Sequence, residues 1–473
     1  MESKLTKKET WLFALGDLYG GGGQTIISIL YLFFLTNVIG IDPLVAGTVI
    51  FISKAWDAIN DPLMGTISDN TKTKIGRRRP YILIGGILLV PAIALLWFPH
   101  GITSEYGKVT YVIITYLFYF TVNTLIMVPY SSMSAEIATG FHDRNKVNTL
   151  RLVLSLASTA ICTLVPTYLH EMIIDNKLKY IQLYFILVFV FGIVFAVPHI
   201  LIGLFLKERV KNDGEKSKFS LKQFVSPLKV KSFRKLVILY VCQALTLDIA
   251  SAVILYYQLY VVNISSTIFL GLFLGIQLIL FTLIYKLIKT KSKTKIYRIG
   301  LPLTIICAAG IAFYPSGASV YPIYILTAIT ALGFAGAQST PWLMFPDVVD
   351  IVTLARDGRK TGVCSGIMTF VRTASAAISA FLIGIVLKFS GFVVPTEEEP
   401  KPIQSANAVL GIRLIFIFGF SILMLFAYFY AKTLKLSPTL SDDVKMLNDK
   451  MDKNLGLSPA EKARYHEIKK EFI

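Results

Sequence analysis

The apolar residues of this chain fall in long, almost unbroken blocks, and that feature removes most folds from consideration. A run of about 18 or more apolar residues is long enough to cross a bilayer as a helix, whereas a strand of a membrane barrel needs only about 10 residues of alternating pattern. Twelve blocks are read, near 11–37, 44–69, 80–98, 108–132, 149–170, 181–206, 234–262, 267–288, 296–314, 319–345, 362–388 and 407–433. Hydrocarbon offers no partner to backbone N–H and C=O groups, so each block must satisfy them internally and is read as a helix. The composition agrees: 54% of the 473 residues are hydrophobic and 16% charged, where a soluble chain carries about a quarter. The expectation is an all-α integral membrane protein of twelve transmembrane helices.

A net charge of +18 would suit nucleic acid, but its placement argues otherwise. The loops at 70–80, 140–151, 207–235, 286–298 and 356–360 hold 27 Lys and Arg, and the intervening loops hold four, Lys108, Lys177, Lys179 and Lys401. Basic loops stay on the cytoplasmic side. Both termini are therefore expected inside, in a multi-pass protein of the plasma membrane, with no nucleic-acid partner. Cys162, Cys242, Cys307 and Cys364 match no metal or redox spacing and are read as packing residues. The first apolar block lacks a cleavage pattern and is read as a retained helix.

The longest internal polar stretch divides the chain into a six-helix bundle over 1–206, a middle loop over 207–233, a second bundle over 234–433 and a tail over 434–473. This layout resembles that of the major facilitator superfamily, two pseudo-symmetric six-helix bundles. A weak repeat supports it: Thr71-Lys72-Thr73-Lys74-Ile75-Gly76-Arg77 recurs as Ser292-Lys293-Thr294-Lys295-Ile296-Tyr297-Arg298, 221 residues on, and the same offset carries Arg151 onto Arg372. It carries Asp57 and Asp61 onto Leu278 and Thr282, so these carboxylates belong to the first half alone. In the tail, Ser458-Pro459-Ala460-Glu461 has the pattern of a helix start; a solvated surface helix or frayed end is favoured there over a regulatory module.

Ionisable groups inside a membrane cost about 2.5–3.5 kcal/mol each, and persist when paired or when they line a watery cavity. Their densest group is the segment 54–62, in which Lys54, Asp57 and Asp61 share one helix face, Asn60 lies close to it, and Pro62 loosens the backbone. Two carboxylates a turn apart with an amide make a pocket for a small hard cation, or share a proton, or form a buried network that fixes helix packing. Lys54 can neutralise a carboxylate when the cation is absent. Asp17, before the run Gly20-Gly21-Gly22-Gly23, suits the hydroxyls of a sugar. The glycines permit either close helix contact, the favoured reading, or local unwinding. Arg151 and Arg372 are intramembrane cations that could pair with Asp17 or Asp57 or meet substrate oxygens; Arg151 could also snorkel to a basic loop. Asp248 and His199 stand alone and are read as structural. Trp342 could stack on a sugar ring or anchor at the interface. Asp347 and Asp350, beside Arg356, Arg359 and Lys360, are read as a gate, and Asp69 with the run Gly76-Arg77-Arg78-Arg79 as a latch. No phosphate loop, nucleophile elbow or dinucleotide fingerprint occurs, and His170-Glu171 lacks the second His of a zinc helix, so an enzyme is not expected.

These residues resemble the glycoside–pentoside–hexuronide:cation symporters, the melibiose-carrier-like family. The similarity runs the length of the chain; WDAINDP at 56–62, the Gly76-Arg77-Arg78-Arg79-Pro80 loop and PDVVD at 346–350 are its most specific parts. The resemblance implies that Asp57 and Asp61, with Asn60 and Thr124, bind the cation, that Asp17 and Arg151 bind sugar, and that Arg372 replaces a family lysine near the cation site. It also implies that Met127 replaces a sugar-binding aspartate and Ser131 an aromatic residue, a departure from galactoside specificity.

The function expected is uptake of a glycoside, pentoside, hexuronide or short oligosaccharide coupled to Na⁺ or H⁺, with no cofactor. The partners are the sugar, a monovalent cation and membrane lipid, and the chain is expected to be a monomer. Two alternatives stand beside it: a cation-coupled carrier of a lysolipid or other amphiphile, motivated by Met127 and the many aromatics, and a membrane sugar receptor that does not transport.

Overall fold

The structure is a computed structural model that describes residues 5–137, 141–208, 225–262, 264–288, 292–356, 361–396, 399, 401–452 and 457–472. Among them there are helices and no strands. The helices are α1 (Lys7–Asn37), α2 (Pro43–Asn70), α3 (Arg79–Trp97), α4 (Glu105–Glu136), α5 (Phe141–Ile174), α6 (Tyr180–Phe205), α7 (Lys231–Tyr260), α8 (Ser266–Ile288), α9 (Lys293–Ala312), α10 (Tyr321–Arg356), α11 (Thr361–Phe389), α12 (Ala406–Ala431), α13 (Pro438–Asp452) and α14 (Pro459–Phe472). Starts follow local chemistry. Thr6 and Glu9 form a capping box for α1, Asp42 accepts from Leu44 N with Pro43 opening α2, and Ser104 accepts from Gly107 N to open α4.

Ten of these helices are long and apolar enough to cross a membrane. α2 and α8, the segments expected as the second and eighth spans, fall outside that set: α2 is interrupted by Lys54, Asp57 and Asp61, and in α8 the fully described apolar stretch is Ser266–Phe281. Twelve is thus the expectation, and ten the number that length and apolarity establish among the described residues.

Three helices contain a π-helical turn, at Ile27–Tyr31 in α1, Ile186–Gly192 in α6 and Phe418–Ile422 in α12. Such turns release one carbonyl from the regular ladder and recur at functional sites.

The chain forms two compact units. One comprises Met1–Lys218 with Ser265–Leu270 and Ala380–Ala408; the other comprises Phe219–Ile264, Gly271–Ser379 and Val409–Ile473. In the first unit α1 lies on α5 through the glycine run. A Cβ at Gly21 would overlap the Ser155 carbonyl oxygen, and one at Gly22 would overlap the Ser158 hydroxyl and the Cys162 thiol. Thr159 and Thr25 both donate to the Gly21 carbonyl. Around Gly16 the α1 backbone turns, and the Tyr130 ring fills the space a side chain would need. The glycines therefore serve close contact. Gly21→Ala is expected to cost about 1–3 kcal/mol, because a backbone carbonyl cannot move aside as a flexible side chain does; thermal unfolding in detergent measures it.

In the second unit the tail is a docked pair of helices rather than a frayed end. α13 buries Leu440, Val444 and Leu447, and α14 buries Ile468 and Phe472. Lys450–Glu461 and Arg464–Asp443 ion pairs join them at 2.5 and 2.8 Å, and Asn448 donates to the Asp350 carbonyl at the end of α10. Polar composition hid this, because the apolar residues of α13 are few but lie three to four apart on one face.

Candidate functional site

Lys54, Asp57 and Asp61 project from one face of α2 toward α1 and α4. Asp57 is 5% exposed and Lys54 7%, so both charges are out of bulk water. Thr124 of α4, 1% exposed, donates to Asp57 Oδ1 at 3.1 Å and to Asp61 Oδ1 at 2.7 Å. The hydroxyl has one proton to share between the two carboxylates, and the structure brings Asp57, Asp61 and Thr124 together. The Asn60 side-chain nitrogen is buried without a hydrogen-bond partner. A half-turn of that amide presents its oxygen instead. Two carboxylates and a hydroxyl oxygen form an oxygen-rich donor set of the kind that takes a small hard cation.

Lys54 Nζ donates to Gln24 Oε1 at 3.1 Å and lies 4.1 Å from the centre of the Phe120 ring. Its charge attracts the Asp57 carboxylate, and its amino group also ties α2 to α1. Gln24 had no distinguishing mark in the sequence; a glutamine in an apolar helix is a signal only once its neighbour is known to be charged.

The second group joins α1 to α5. Arg151 Nε donates to Asp17 Oδ2 at 2.9 Å and its Nη2 to Oδ1 at 3.3 Å, while Nη1 reaches Asn148 Oδ1 at 3.3 Å. The guanidinium lies over the rings of Tyr130, at 4.7 Å, and Phe13, at 5.3 Å. Arg151 therefore does not snorkel; a planar fork held on a carboxylate and stacked on aromatic rings is fixed in direction. Met127 borders the pair, since a Cβ on Gly20 would contact both the Asp17 carboxylate and the Met127 methyl. Ser131, one turn on, turns its hydroxyl to the Val128 carbonyl of its own helix.

The two groups share helices. Asp17 and Gln24 are two turns apart on α1, about 10 Å along its axis, and Thr124 and Met127 are neighbours on one face of α4. A shift of α1 or α4 therefore displaces residues of both groups. Close by, Tyr19 of α1 donates to the Tyr119 hydroxyl of α4 at 3.0 Å.

In the second unit Arg372 is not paired with Asp17 or Asp57. Its Nη1 and Nη2 grip the two oxygens of Asp248 at 2.5 and 2.8 Å, so Asp248 is not isolated. Trp342 is 46% exposed and stands edge-on to Tyr240, at 5.7 Å between ring centres. His199, read as structural, is fully buried and bonds the Phe195 carbonyl.

At the helix ends Asp69 pairs with Arg78 of the run Gly76-Arg77-Arg78-Arg79, at 2.7 Å. Glu208, after α6, collects the backbone N–H groups of Arg77, Arg78 and Arg79 at 3.1, 2.9 and 3.2 Å. It thus caps the start of α3 with a negative charge where the helix dipole favours one. Asp347 pairs with Lys293 at 2.5 Å. Of the cations expected around Asp347 and Asp350, Arg359, Lys360 and the side chain of Arg356 lie outside the described residues.

Comparison with known proteins adds to this geometry. Residues 12–437 match the family described as MFS/sugar transport protein. The uncharacterized symporter YjmB of Bacillus subtilis (strain 168) is 26% identical over 437 residues, covering 90% of this chain and 92% of its own length. A putative sulfoquinovose importer of Escherichia coli (strain K12) is 26% identical over 466 residues, covering 94% and 95%. In fold, the chain is similar to a bacterial homologue of the human lysosomal transporter Spinster, with a TM-score of 0.63 over 91% of this chain and 97% of that one at 12% identity.

Proposed function

This chain belongs to the MFS/sugar transport protein family of membrane transporters, the glycoside–pentoside–hexuronide sugar symporters, and from that premise we propose that it carries a sugar or glycoside into the cell together with Na⁺ or H⁺ by alternating access. The observation that carries the reading is the bridged pair Asp57–Thr124–Asp61. With Lys54 the group holds two negative charges and one positive. One monovalent cation completes its neutrality, and an uncompensated buried charge is costly. The fixed guanidinium–carboxylate pair Asp17–Arg151 supports a sugar site, because it offers donors and acceptors in known directions to a ring of hydroxyls. Shared placement on α1 and α4 supports coupling, which requires each ligand to change the affinity of the other by the same factor. A putative sulfoquinovose importer matched over 94% of this chain supports a sugar, while a sodium-dependent lysophosphatidylcholine symporter of Mus musculus, 33% identical, matches over 28% of it.

No nucleotide site is needed. One charge crossing 100 mV supplies about 2.3 kcal/mol, which sustains roughly 40–50-fold accumulation at about 1.4 kcal/mol per decade. The test uses the full chain in lipid vesicles with labelled sugars and imposed Na⁺ or H⁺ gradients. Gradient-driven accumulation is expected with at least one cation, and free lysolipid should not displace the sugar. Uptake indifferent to every gradient, or saturable binding with no uptake, as in a receptor, would overturn the reading.

A further inference from the structure

The ionisable groups of the second unit fall into two classes. Most sit near helix ends, as Lys293 and Asp347 do, or Arg413, which donates to the Ala312 carbonyl. Among the described charged residues of this unit Asp248 and Arg372 alone lie more than ten positions inside both ends of their helices, α7 and α11. They are paired fork to fork. The first unit holds the same device, since Asp17 and Arg151 join α1 to α5, and α7 and α11 are the first and fifth helices of the second half. Asp248 lies 231 positions after Asp17, and Arg372 lies 221 after Arg151. The π-helical turn of α12 falls within the stretch that the 231-residue offset assigns to that of α6.

The two pairs differ in access. The Arg151 side chain is 14% exposed, but that of Arg372 is 41% exposed, with Asp248 shut behind it at 6%. A guanidinium that deep in a membrane opens to water and not to lipid. Trp342, also largely open, stands against the buried Tyr240, whose hydroxyl lies in the field of Arg372. On α7, Gln243 is 5% exposed, donates to Gln338 of α10 at 2.8 Å, and keeps a buried Oε1 with no partner. An indole and a guanidinium are together a surface for a hydroxylated ring.

We propose that Asp248 is a specificity-determining residue: it cancels the charge of the open Arg372, so that the surface of the second unit accepts an uncharged glycoside and discriminates against anionic sugars. The inference rests on the sugar-carrier reading and narrows its substrate class. An open, unpaired arginine would be the natural seat for a uronate or sulfonate. Closed on Asp248, its two terminal nitrogens are occupied, and a second carboxylate would meet the negative charge of the first. The pair can still donate to a hydroxyl from its remaining edge. Asp248 acts through Arg372 as a positioning and neutralising group; Arg372 and Trp342 are the residues that touch the solute.

The test is a charge series on the full chain, read as displacement of a bound methyl glycoside by a neutral pyranoside, the matching glucuronide and the matching amino sugar, with the responding cation present. Wild type should prefer the neutral sugar. Asp248→Asn uncovers a positive charge and should shift preference toward the glucuronide by about tenfold or more, since buried charge complementarity is worth that or better. Arg372→Gln uncovers a negative charge and should favour the amino sugar. The double variant, which leaves no charge unpaired and so protects against misfolding of the singles, should return to neutral preference with weaker binding. If wild type takes the glucuronide as well as the neutral sugar, or if a folded Asp248→Asn discriminates as wild type does, the inference falls while the carrier reading stands. A double variant that gains anionic or cationic preference overturns it too. If wild type binds no sugar with any cation, the proposed function fails and takes this inference with it.

Discussion

Asp57→Asn will abolish concentrative uptake. The substitution leaves Lys54 and Asp61 as a balanced pair, so nothing in the site calls for a cation, while Thr124 keeps its hydrogen bond to Asp61. Accumulation driven by an ion gradient at 100 mV should fall from roughly 40–50-fold to about unity. Cation-dependent thermal stabilisation should vanish with it. The fold should survive, because the change removes an excess charge rather than stranding one. Exchange of sugar down its own gradient should persist at reduced rate, since Asp17 and Arg151 are untouched. Vesicle uptake and thermal shift in Na⁺, Li⁺ and choline check the two halves of this result. Full gradient-driven accumulation by the variant would sink the assignment of the cation site.

Arg151→Ala should be the most damaging single change to stability. It strands the carboxylate of Asp17, which is 8% exposed, and removes the plate on which Tyr130 and Phe13 rest. Removing one member of a buried pair costs about 3–5 kcal/mol. Arg151→Lys keeps the charge but not the two-pronged geometry, and should weaken sugar binding about 10- to 100-fold at a smaller cost in stability. The double variant Asp17→Asn with Arg151→Gln separates the effects: it removes both charges, so unfolding temperature should recover while sugar binding does not. Recovery of both would reduce the pair to a structural tie.

Much of this is legible in the sequence. Block length named the helices, and spacing put Lys54, Asp57 and Asp61 on one face of α2. The resemblance pointed to Thr124, and the structure places its hydroxyl between the two carboxylates. What escaped was consistently the second partner. Gln24, Asn148, Glu208 and Lys293 were each ordinary in their own stretch and became informative only beside Lys54, Arg151, the start of α3 and Asp347. Asp248 reads as isolated in the sequence because nothing within α7 can pair with it. Its partner is on α11, 124 residues away, and a repeat offset that changes from 231 to 221 along the chain does not line the two pairs up in one comparison.

The charged face of α2 is therefore the kind of fact a sequence determines by itself. The α-helical period and the cost of charge in hydrocarbon act within one segment, and together they state that this face needs partners. Which partners it has is a different kind of fact. Lys54 bonds Gln24, Arg372 closes on Asp248, and Asp69 meets Arg78 because of how each helix is rotated and how closely its neighbours approach, as at Gly21 against Ser155. Those rotations are set by the packing of many side chains at once, and only the tertiary structure carries them.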